Sequence, residues 1–237
     1  MTEGVGIPYE LALKRVKALY RYDDRGRLTS INQWNGGTAP RFHLMRTVGR
    51  VICRFRADLP GDLVSRLEAL CSREPVGDLS AKLPARHATY LDLLSSQVPV
   101  DRVWAGPVYM STRDDLPPST PPITIGDDNA HLLRGGFDNW MPDVPHRRPF
   151  ISMIENDQAV SICASVRISE AVHCAGVETL TDRRQRGYAL SAVAGCARAV
   201  RSLGATPFYS TSWDNVASQG VARRLRLSLV GVDFPLT

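Results

Sequence analysis

One segment limits the folds open to this chain more than any other. Residues 178–195 read "ETLTDRRQRGYALSAVAG" and change character in the middle. They begin with the apolar–polar alternation that is typical of a half-buried strand, and they end in an alanine-rich stretch that favours a helix. Three arginines and Gly187 stand where the strand becomes the helix. The segment therefore predicts a strand–turn–helix unit inside an α/β fold.

The turn between this strand and helix has the chemistry of an anion-binding site. The first turn of a helix leaves N–H groups without intrahelical acceptors, and the helix dipole adds partial positive charge there. Gly187 allows the backbone to approach a ligand closely, while Arg183, Arg184 and Arg186 supply donors and charge. The pattern predicts a pyrophosphate site, against the alternative of solvated arginines at an ordinary helix start.

The C-terminal half of the chain continues the alternation of strands and helices. Its order is strand, helix, strand, strand, strand, helix, strand, helix, strand, which predicts an α/β fold with a mixed central sheet flanked by helices. The first helix is interrupted by Gly135 and Gly136, and a hairpin turns at Asn156 and Asp157.

The N-terminal half predicts an α/β region of its own. A short amphipathic helix comes first, a hairpin turns between Asp24 and Gly26, and a strand, two helices and a further strand follow. Four prolines fall within six positions near residue 120, and this density fixes an extended path. We therefore expect an N-terminal region over 1–113, a linker over 114–122 and a second domain over 123–237.

The composition limits the expected cellular location and the expected binding partners. Hydrophobic residues make up 43% of the 237 positions and charged residues 22%, and no window is apolar enough for a transmembrane helix. The start lacks the pattern of a secretory signal, so we expect a cytoplasmic protein without membrane contact. The net charge of +5 favours anionic partners, but the basic residues are dispersed, which argues against nucleic acid other than tRNA.

The cysteines and histidines predict neither a disulfide framework nor a metal site. Both types number five, they are scattered, and they lack CxxC, HxH or HxxxH spacing. The chain also lacks GxxxxGK[ST] and GxGxxG, so it is neither a P-loop protein nor a Rossmann dinucleotide binder.

The segment "RQRGYA" resembles the signature Q/R-x-x-G-x-G/A of the GNAT superfamily of acyl-CoA-dependent N-acyltransferases. Arg184, Gly187 and Ala189 match it, and the order of elements over residues 120–237 matches as well. The resemblance implies the GNAT fold, with acetyl-CoA or another acyl-CoA as acyl donor. The residues it implies for cofactor binding are Val177, Thr179, Arg184, Gln185, Arg186, Gly187, Tyr188, Ala189, Leu190, Asn215 and Ser218.

The N-terminal region shows no such match, and we interpret it as either a degenerate copy of the fold or a lid. Two features of the matching region also depart from the family. The helix that holds Asn215 and Ser218 ends in Leu225, Arg226 and Leu227, where the family has leucine, glycine and phenylalanine. The tyrosine that commonly acts as general acid is replaced by Ala222.

Direct acyl transfer to an amine needs a base that makes the amine neutral. Glu178 and His173 are the candidates, because both lie on or beside the strand before the motif. An unpaired carboxylate in an apolar strand is costly, which favours a role for Glu178. Ser218 is a candidate for the acid, with Tyr209 as an alternative.

The segment before the hairpin commonly shapes the acceptor site in the family. Trp140, Asp138 and Glu178 are the predicted substrate-binding residues, with His146 beside them. The expected function is acetyl transfer to a primary amine of a small molecule or amino-acid-like metabolite, by a monomer or homodimer. Two alternatives stay open: an aminoacyl-tRNA-dependent transferase of the same fold, and a CoA-binding sensor without catalysis.

Overall fold

The computed structural model describes residues 4–112 and 121–237. The chain divides into two compact units, each made of more than one segment. The first unit comprises Met1–Tyr109, Ser210–Val216 and Ser228–Thr237, and the second comprises Met110–Tyr209 and Ala217–Leu227. The structure thus differs from the contiguous halves that the sequence predicted, because the last strand belongs to the first unit. Most of the predicted linker, residues 114–120, lies outside the described residues.

Among the described residues, the first unit contains three α-helices and six strands. The elements are α1 (Tyr9–Leu19), β1 (Tyr20–Tyr22), β2 (Leu28–Ile31), β3 (Phe42–Arg46), β4 (Val51–Phe55), α2 (Gly61–Cys71), α3 (His87–Ser95), β5 (Gly106–Met110, whose last residue belongs to the second unit) and β11 (Ser228–Leu236). The strands β1 and β2 form the hairpin predicted around Asp24, and the other strands follow the order β4-β3-β11-β5.

The core of the first unit lies between this sheet and the helices α2 and α3. Leu63 and Leu67 of α2 are almost completely buried. Phe42 stacks on Tyr90 of α3 with ring centroids 5.0 Å apart. The strand β3 is buried at all five positions, and it pairs antiparallel with both β4 and β11.

The second unit contains the strand–turn–helix segment of residues 178–195. Its elements are β6 (Ile123–Thr124), β7 (Phe150–Glu155), β8 (Gln158–Ile168), β9 (Val172–Thr179), α4 (Tyr188–Ser202), β10 (Thr206–Ser210, whose last residue belongs to the first unit) and α5 (Val216–Arg224, whose first residue belongs to the first unit). The strands follow the order β10-β9-β8-β7-β6. Neighbours from β6 to β9 are antiparallel, whereas β9 and β10 are parallel and are joined by α4. The α/β prediction with a mixed sheet is therefore confirmed.

Two features of the second unit show how local sequence sets local structure. Asn156 and Asp157 adopt left-handed φ values of 52° and 59°, which fits the predicted tight hairpin between β7 and β8. The first helix of the C-terminal half, predicted to be interrupted at Gly135 and Gly136, is instead two short 3₁₀ helices, Ala130–Leu133 and Asp138–Asp143. Gly135, with φ of 78°, separates them, so the prediction of one interrupted helix is wrong.

Candidate functional site

The strands β9 and β10 separate part of the way along their length. Their pairing runs from Val172 opposite Thr206 to Ala175 opposite Tyr209. The strand β9 then continues from Gly176 to Thr179 while pairing with β8. In the described part of the chain, no residue of β10 pairs with these four residues. The edge of β9 that faces away from β8 therefore offers backbone N–H and C=O groups to a ligand.

The strand β9 leads into the loop that carries the arginines. A 3₁₀ turn, Thr181–Arg183, is followed by two residues with left-handed φ, Gln185 at 63° and Gly187 at 85°. The helix α4 begins directly after Gly187, and no side chain of the described residues caps that end. The first intrahelical bond runs from the N–H of Ser191 to the carbonyl of Gly187, at 3.2 Å. The preceding N–H groups of α4 are thus free to bind an anion.

Space is available for that anion beside Gly187. A Cβ atom built on Gly187 meets no described heavy atom within 4 Å. Arg184 and Arg186 are both exposed, and the Nε of Arg184 donates weakly to the carbonyl of Thr179, at 3.4 Å. Arg183 instead forms an ion pair with Glu155, with its Nε 2.8 Å from Oε2. The loop therefore presents positive charge on its open side and is tied down on the other.

Glu178 and Trp140, both predicted from the sequence, are in direct contact. The indole N–H of Trp140 donates to Oε2 of Glu178 at 2.6 Å. The Glu178 side chain is exposed, so its second oxygen can accept a proton from an incoming group. The Trp140 ring is held by Phe150, edge to face at 5.9 Å, and by the guanidinium of Arg147, 4.9 Å from its centre. A carboxylate with a fixed donor and an aromatic wall suits an amine acceptor.

Asp138 and His146 have other contacts. The carboxylate of Asp138 accepts a hydrogen bond from the N–H of Gly135 at 2.9 Å, which closes the turn between the two 3₁₀ helices. The N–H of His146 donates to the carbonyl of Asp143, also at 2.9 Å. Both side chains are exposed. Substrate binding by Asp138 stays a prediction, and its visible role is to hold the segment that carries Trp140.

His173, the other candidate base, lies far from Glu178. The two residues are five positions apart on β9, which corresponds to about 17 Å, and they point to opposite faces of the sheet. His173 is buried, and its Nδ1 lies 2.9 Å from the hydroxyl of Ser165. Burial lowers the pKa of His173, so the ring favours its neutral form. It lines an apolar cavity of about 20 Å³, which is room for one water molecule.

The predicted residues of α5 and its approach are divided between the two units. Asn215 belongs to the first unit, where its N–H donates to the carbonyl of Ser212 at 3.1 Å. Ser218 belongs to the second unit, and its carbonyl accepts a long hydrogen bond of 3.4 Å from the hydroxyl of Tyr209. Ala222 is fully buried. The roles of Asn215 and Ser218 stay predictions.

The remaining cofactor candidates lie on or beside the open edge. Val177 and Thr179 pair with Cys163 and Ser161 of β8, and the hydroxyls of Thr179 and Ser161 are 2.7 Å apart. The first residues of α4, which are Tyr188, Ala189 and Leu190, are half-buried. These positions fit a ligand that runs along β9 toward α4.

Sequence reasoning missed two residues that shape this region. Glu155, at the end of β7, contacts side chains of the arginine loop. Gly176 lies beneath Trp140, and a Cβ there would come within 2.5 Å of Val166 and 3.3 Å of the indole. A glycine inside a predicted strand was the available signal for the second, because it often marks a close approach.

Replacing Gly176 by Ala should destabilise the second unit. The new methyl group overlaps a branched side chain on β8, and overpacking of this kind costs about 1–3 kcal/mol of unfolding free energy. Chemical denaturation measures the change. Gly220→Ala is the matched control, because its methyl would meet only the end of Arg223 at 3.9 Å. Equal unfolding free energies for Gly176→Ala and the wild type would contradict the tight packing.

The chain is similar to solved protein structures, whereas searches by sequence find no relative. No family model matches the chain, and no curated protein does. A GNAT-family protein from Novosphingobium aromaticivorans DSM 12444 is 12% identical with a TM-score of 0.46, and the match covers 58% of this chain but only 65% of that protein. A GNAT-family acetyltransferase from Colwellia psychrerythraea is 15% identical over 80% of this chain and 78% of its own, with a TM-score of 0.47.

A third solved structure covers more of both chains. The GCN5-related N-acetyltransferase-like protein from Streptococcus suis 89/1591 is 16% identical, with a TM-score of 0.48 over 84% of this chain and 85% of its own. This chain is thus similar to solved structures of GNAT-family proteins. At these identities and TM-scores the similarity concerns the fold alone.

Among the residues that the structure describes, no helix is both long and apolar enough to cross a membrane. In the same residues, the side chains that commonly bind metals do not gather in groups of three or more.

Proposed function

We propose that this chain is an acyl-CoA-dependent N-acyltransferase of the GNAT type that transfers an acetyl group to a primary amine. The observation that carries the proposal is the coincidence of an open strand edge with an uncapped helix end one loop later. The gap beside Gly176–Thr179 and the N-terminus of α4 flank the loop of Arg184 and Arg186. A molecule that carries both a thioester and a pyrophosphate could place the thioester beside the open edge of β9 and the pyrophosphate at the N-terminus of α4.

The residues present fit coenzyme A. Its pyrophosphate would be held by the free N–H groups at the start of α4 and by the exposed guanidinium groups of Arg184 and Arg186. The open space beside Gly187 admits the phosphates. When bound, the thioester supplies an activated acyl group next to the free edge of β9.

The protein's own groups would then carry the proton and the developing charge. Glu178 would accept a proton from the ammonium group of the acceptor, which leaves the neutral amine to attack the thioester, and the indole N–H of Trp140 keeps the carboxylate of Glu178 in place. A backbone N–H of the free β9 edge is available to stabilise an oxyanion. Ser218 is the predicted proton donor, because Ala222 occupies the position of the family's tyrosine.

The buried Ala222 favours a second candidate, a CoA-binding sensor without catalysis. The two differ in one measurable respect, because a sensor binds the thioester without consuming it. An aminoacyl-tRNA-dependent transferase would differ from both, since its binding to tRNA would weaken steeply with salt.

The test begins with thermal denaturation of the full chain with and without acetyl-CoA. Binding to the native state stabilises it by about 2.7 kcal/mol at a hundred times the dissociation constant. Release of free thiol is then measured with a panel of primary amines. A shift in the melting midpoint with amine-dependent thiol release supports the enzyme, and a shift without release across the panel supports the sensor. The absence of any shift at millimolar acetyl-CoA overturns both.

A further inference from the structure

Glu155 contacts three side chains of the arginine loop with one carboxylate. Its Oε2 lies 2.8 Å from the Nε of Arg183, and its Oε1 accepts a hydrogen bond of 2.9 Å from the hydroxyl of Tyr188. The Nη1 of Arg186 lies farther away, at 4.0 Å from Oε1. Each oxygen therefore has one close partner, and the two partners stand at opposite ends of the loop.

The loop between those partners has a backbone that needs support. Gln185 adopts φ of 63°, a left-handed conformation that is unfavourable for a residue with a side chain. Such conformations persist only where the surroundings hold them. Arg183 lies two residues before Gln185 and Tyr188 three residues after it, so Glu155 spans the left-handed turn from both sides.

Glu155 is itself fixed to the sheet. It is the last residue of β7 and pairs with Gln158 across the hairpin at Asn156 and Asp157. The strands β7 and β8 run side by side along the whole of β7. A carboxylate on such a rigid element can set the position of a loop better than one on another loop.

We propose that Glu155 is a positioning residue that clamps the loop over residues 183–188 in the conformation that presents the N–H groups of α4 to an anion. Only the identity of the anion rests on the proposed function. The hydrogen bond from Tyr188 to Glu155 raises the pKa of Tyr188, which agrees with a phenol that stays a donor at neutral pH.

The contacts of Glu155 also give Arg183 and Arg186 different roles. Arg183 is neutralised by Glu155 and by Asp182, whose Oδ2 lies 3.2 Å from Nη1. Arg186 is only loosely associated with Glu155, and half of its side chain is exposed. Arg183 therefore anchors the loop, while Arg186 stays available for a phosphate.

Removal of the Glu155 carboxylate would have two opposing effects on anion binding. Freed arginines would attract an anion more strongly, whereas a released loop would no longer hold its N–H groups in place. We expect the second effect to be larger, since helix N–H groups bind an anion only when they point at it together.

The experiment compares acetyl-CoA binding by calorimetry for the wild type, Glu155→Ala, Tyr188→Phe and the double variant. Glu155→Ala should weaken binding about tenfold, which corresponds to about 1.4 kcal/mol. The double variant should bind acetyl-CoA no more weakly than Glu155→Ala, because both changes remove the same contact between Tyr188 and Glu155. Glu155→Gln, which keeps one acceptor oxygen, should fall between the wild type and Glu155→Ala. Glu170→Ala is the matched control, since it removes the same charge from the exposed turn between β8 and β9.

A second measurement needs no ligand and separates this proposal from the proposed function. Arg184 and Arg186 are exposed trypsin sites inside the clamped loop. Glu155→Ala should be cleaved there at least several times faster than the wild type and Glu170→Ala, with an unchanged melting midpoint. If acetyl-CoA fails to bind the wild type while cleavage accelerates, the proposed function fails and the clamp stands. Unchanged cleavage, or tighter acetyl-CoA binding by Glu155→Ala, overturns the clamp.

Discussion

Gly187→Trp should abolish the rise in melting midpoint that acetyl-CoA gives to the wild-type chain. The indole would fill the open space beside position 187, which is where the proposed pyrophosphate lies. It would also cover the free N–H groups at the start of α4. We expect the apparent affinity to fall by at least a hundredfold, which corresponds to about 2.7 kcal/mol.

Gly204→Trp is the matched control for this change. Gly204 follows the other end of the same helix, has φ of 79° against 85° for Gly187, and likewise meets no described atom within 4 Å of a built Cβ. A non-glycine residue in this conformation costs about 1–2 kcal/mol, so both variants should lose similar stability without ligand. Only Gly187→Trp should lose the ligand-dependent shift. If acetyl-CoA raised the melting midpoint of Gly187→Trp as much as that of the wild type, the pyrophosphate would not bind at this end of α4.

Several elements of the second unit could be predicted from the sequence because their signals are local. The hairpin at Asn156 and Asp157 needs left-handed backbone, which these two residue types tolerate, and the structure has it there. The strand β9, the loop and α4 follow the change of pattern between residues 178 and 195. Glycine at position 187 has the positive φ that a tight entry to a helix requires.

The strand β3 was missed for the opposite reason. Its sequence, Phe42–Arg46, contains a histidine and an arginine, so it lacks the alternation of a half-buried strand. Both polar side chains are buried because distant parts of the chain satisfy them: His43 contacts Asp233, and Arg46 donates to the carbonyls of Asp78 and Ala81. Pairings across 190 residues leave no mark on a local pattern.

The candidate site shows the same division. Glu178 and Trp140 were both predicted as substrate-binding residues, but the hydrogen bond between them joins residues 38 positions apart and was not predicted. Glu155 carried no signal, because an acidic residue before a turn is ordinary until its reach to Arg183 is known. The sequence can therefore indicate which residues have the chemistry of a site, whereas the contacts between them become visible only in the folded structure.

Asp233→Ala should be the most destabilising single change in the first unit. Asp233 of β11 is buried, and its two oxygens lie 2.7 and 2.6 Å from the guanidinium of Arg15 on α1. The Nε2 of His43 on β3 lies 3.2 Å from the same carboxylate. Truncating Asp233 leaves the buried charge of Arg15 without its partner, which costs about 3–5 kcal/mol.

Thermal and chemical denaturation measure this loss, and the melting midpoint should fall by about 10 °C. Asp58→Ala is the control, because it removes an equally close but exposed ion pair with Arg56 and should cost under about 1 kcal/mol. The double variant Arg15→Met with Asp233→Leu should recover much of the loss, since it leaves no unpaired charge. Equal losses for Asp233→Ala and Asp58→Ala would contradict a buried pair.

The pH dependence of stability tests the same carboxylate without removing it. Burial disfavours the charge of Asp233, but Arg15 and His43 outweigh burial and lower its pKa to about 2 from an ordinary 3.8. A carboxyl with a lowered pKa in the folded state adds stability that is complete above the unfolded value and is lost as the pH falls through the folded one. The wild type should therefore lose about 2 kcal/mol between pH 4 and pH 2 through this group. Asp233→Ala should lack that part of the decline, so the two stability curves should converge as the pH is lowered.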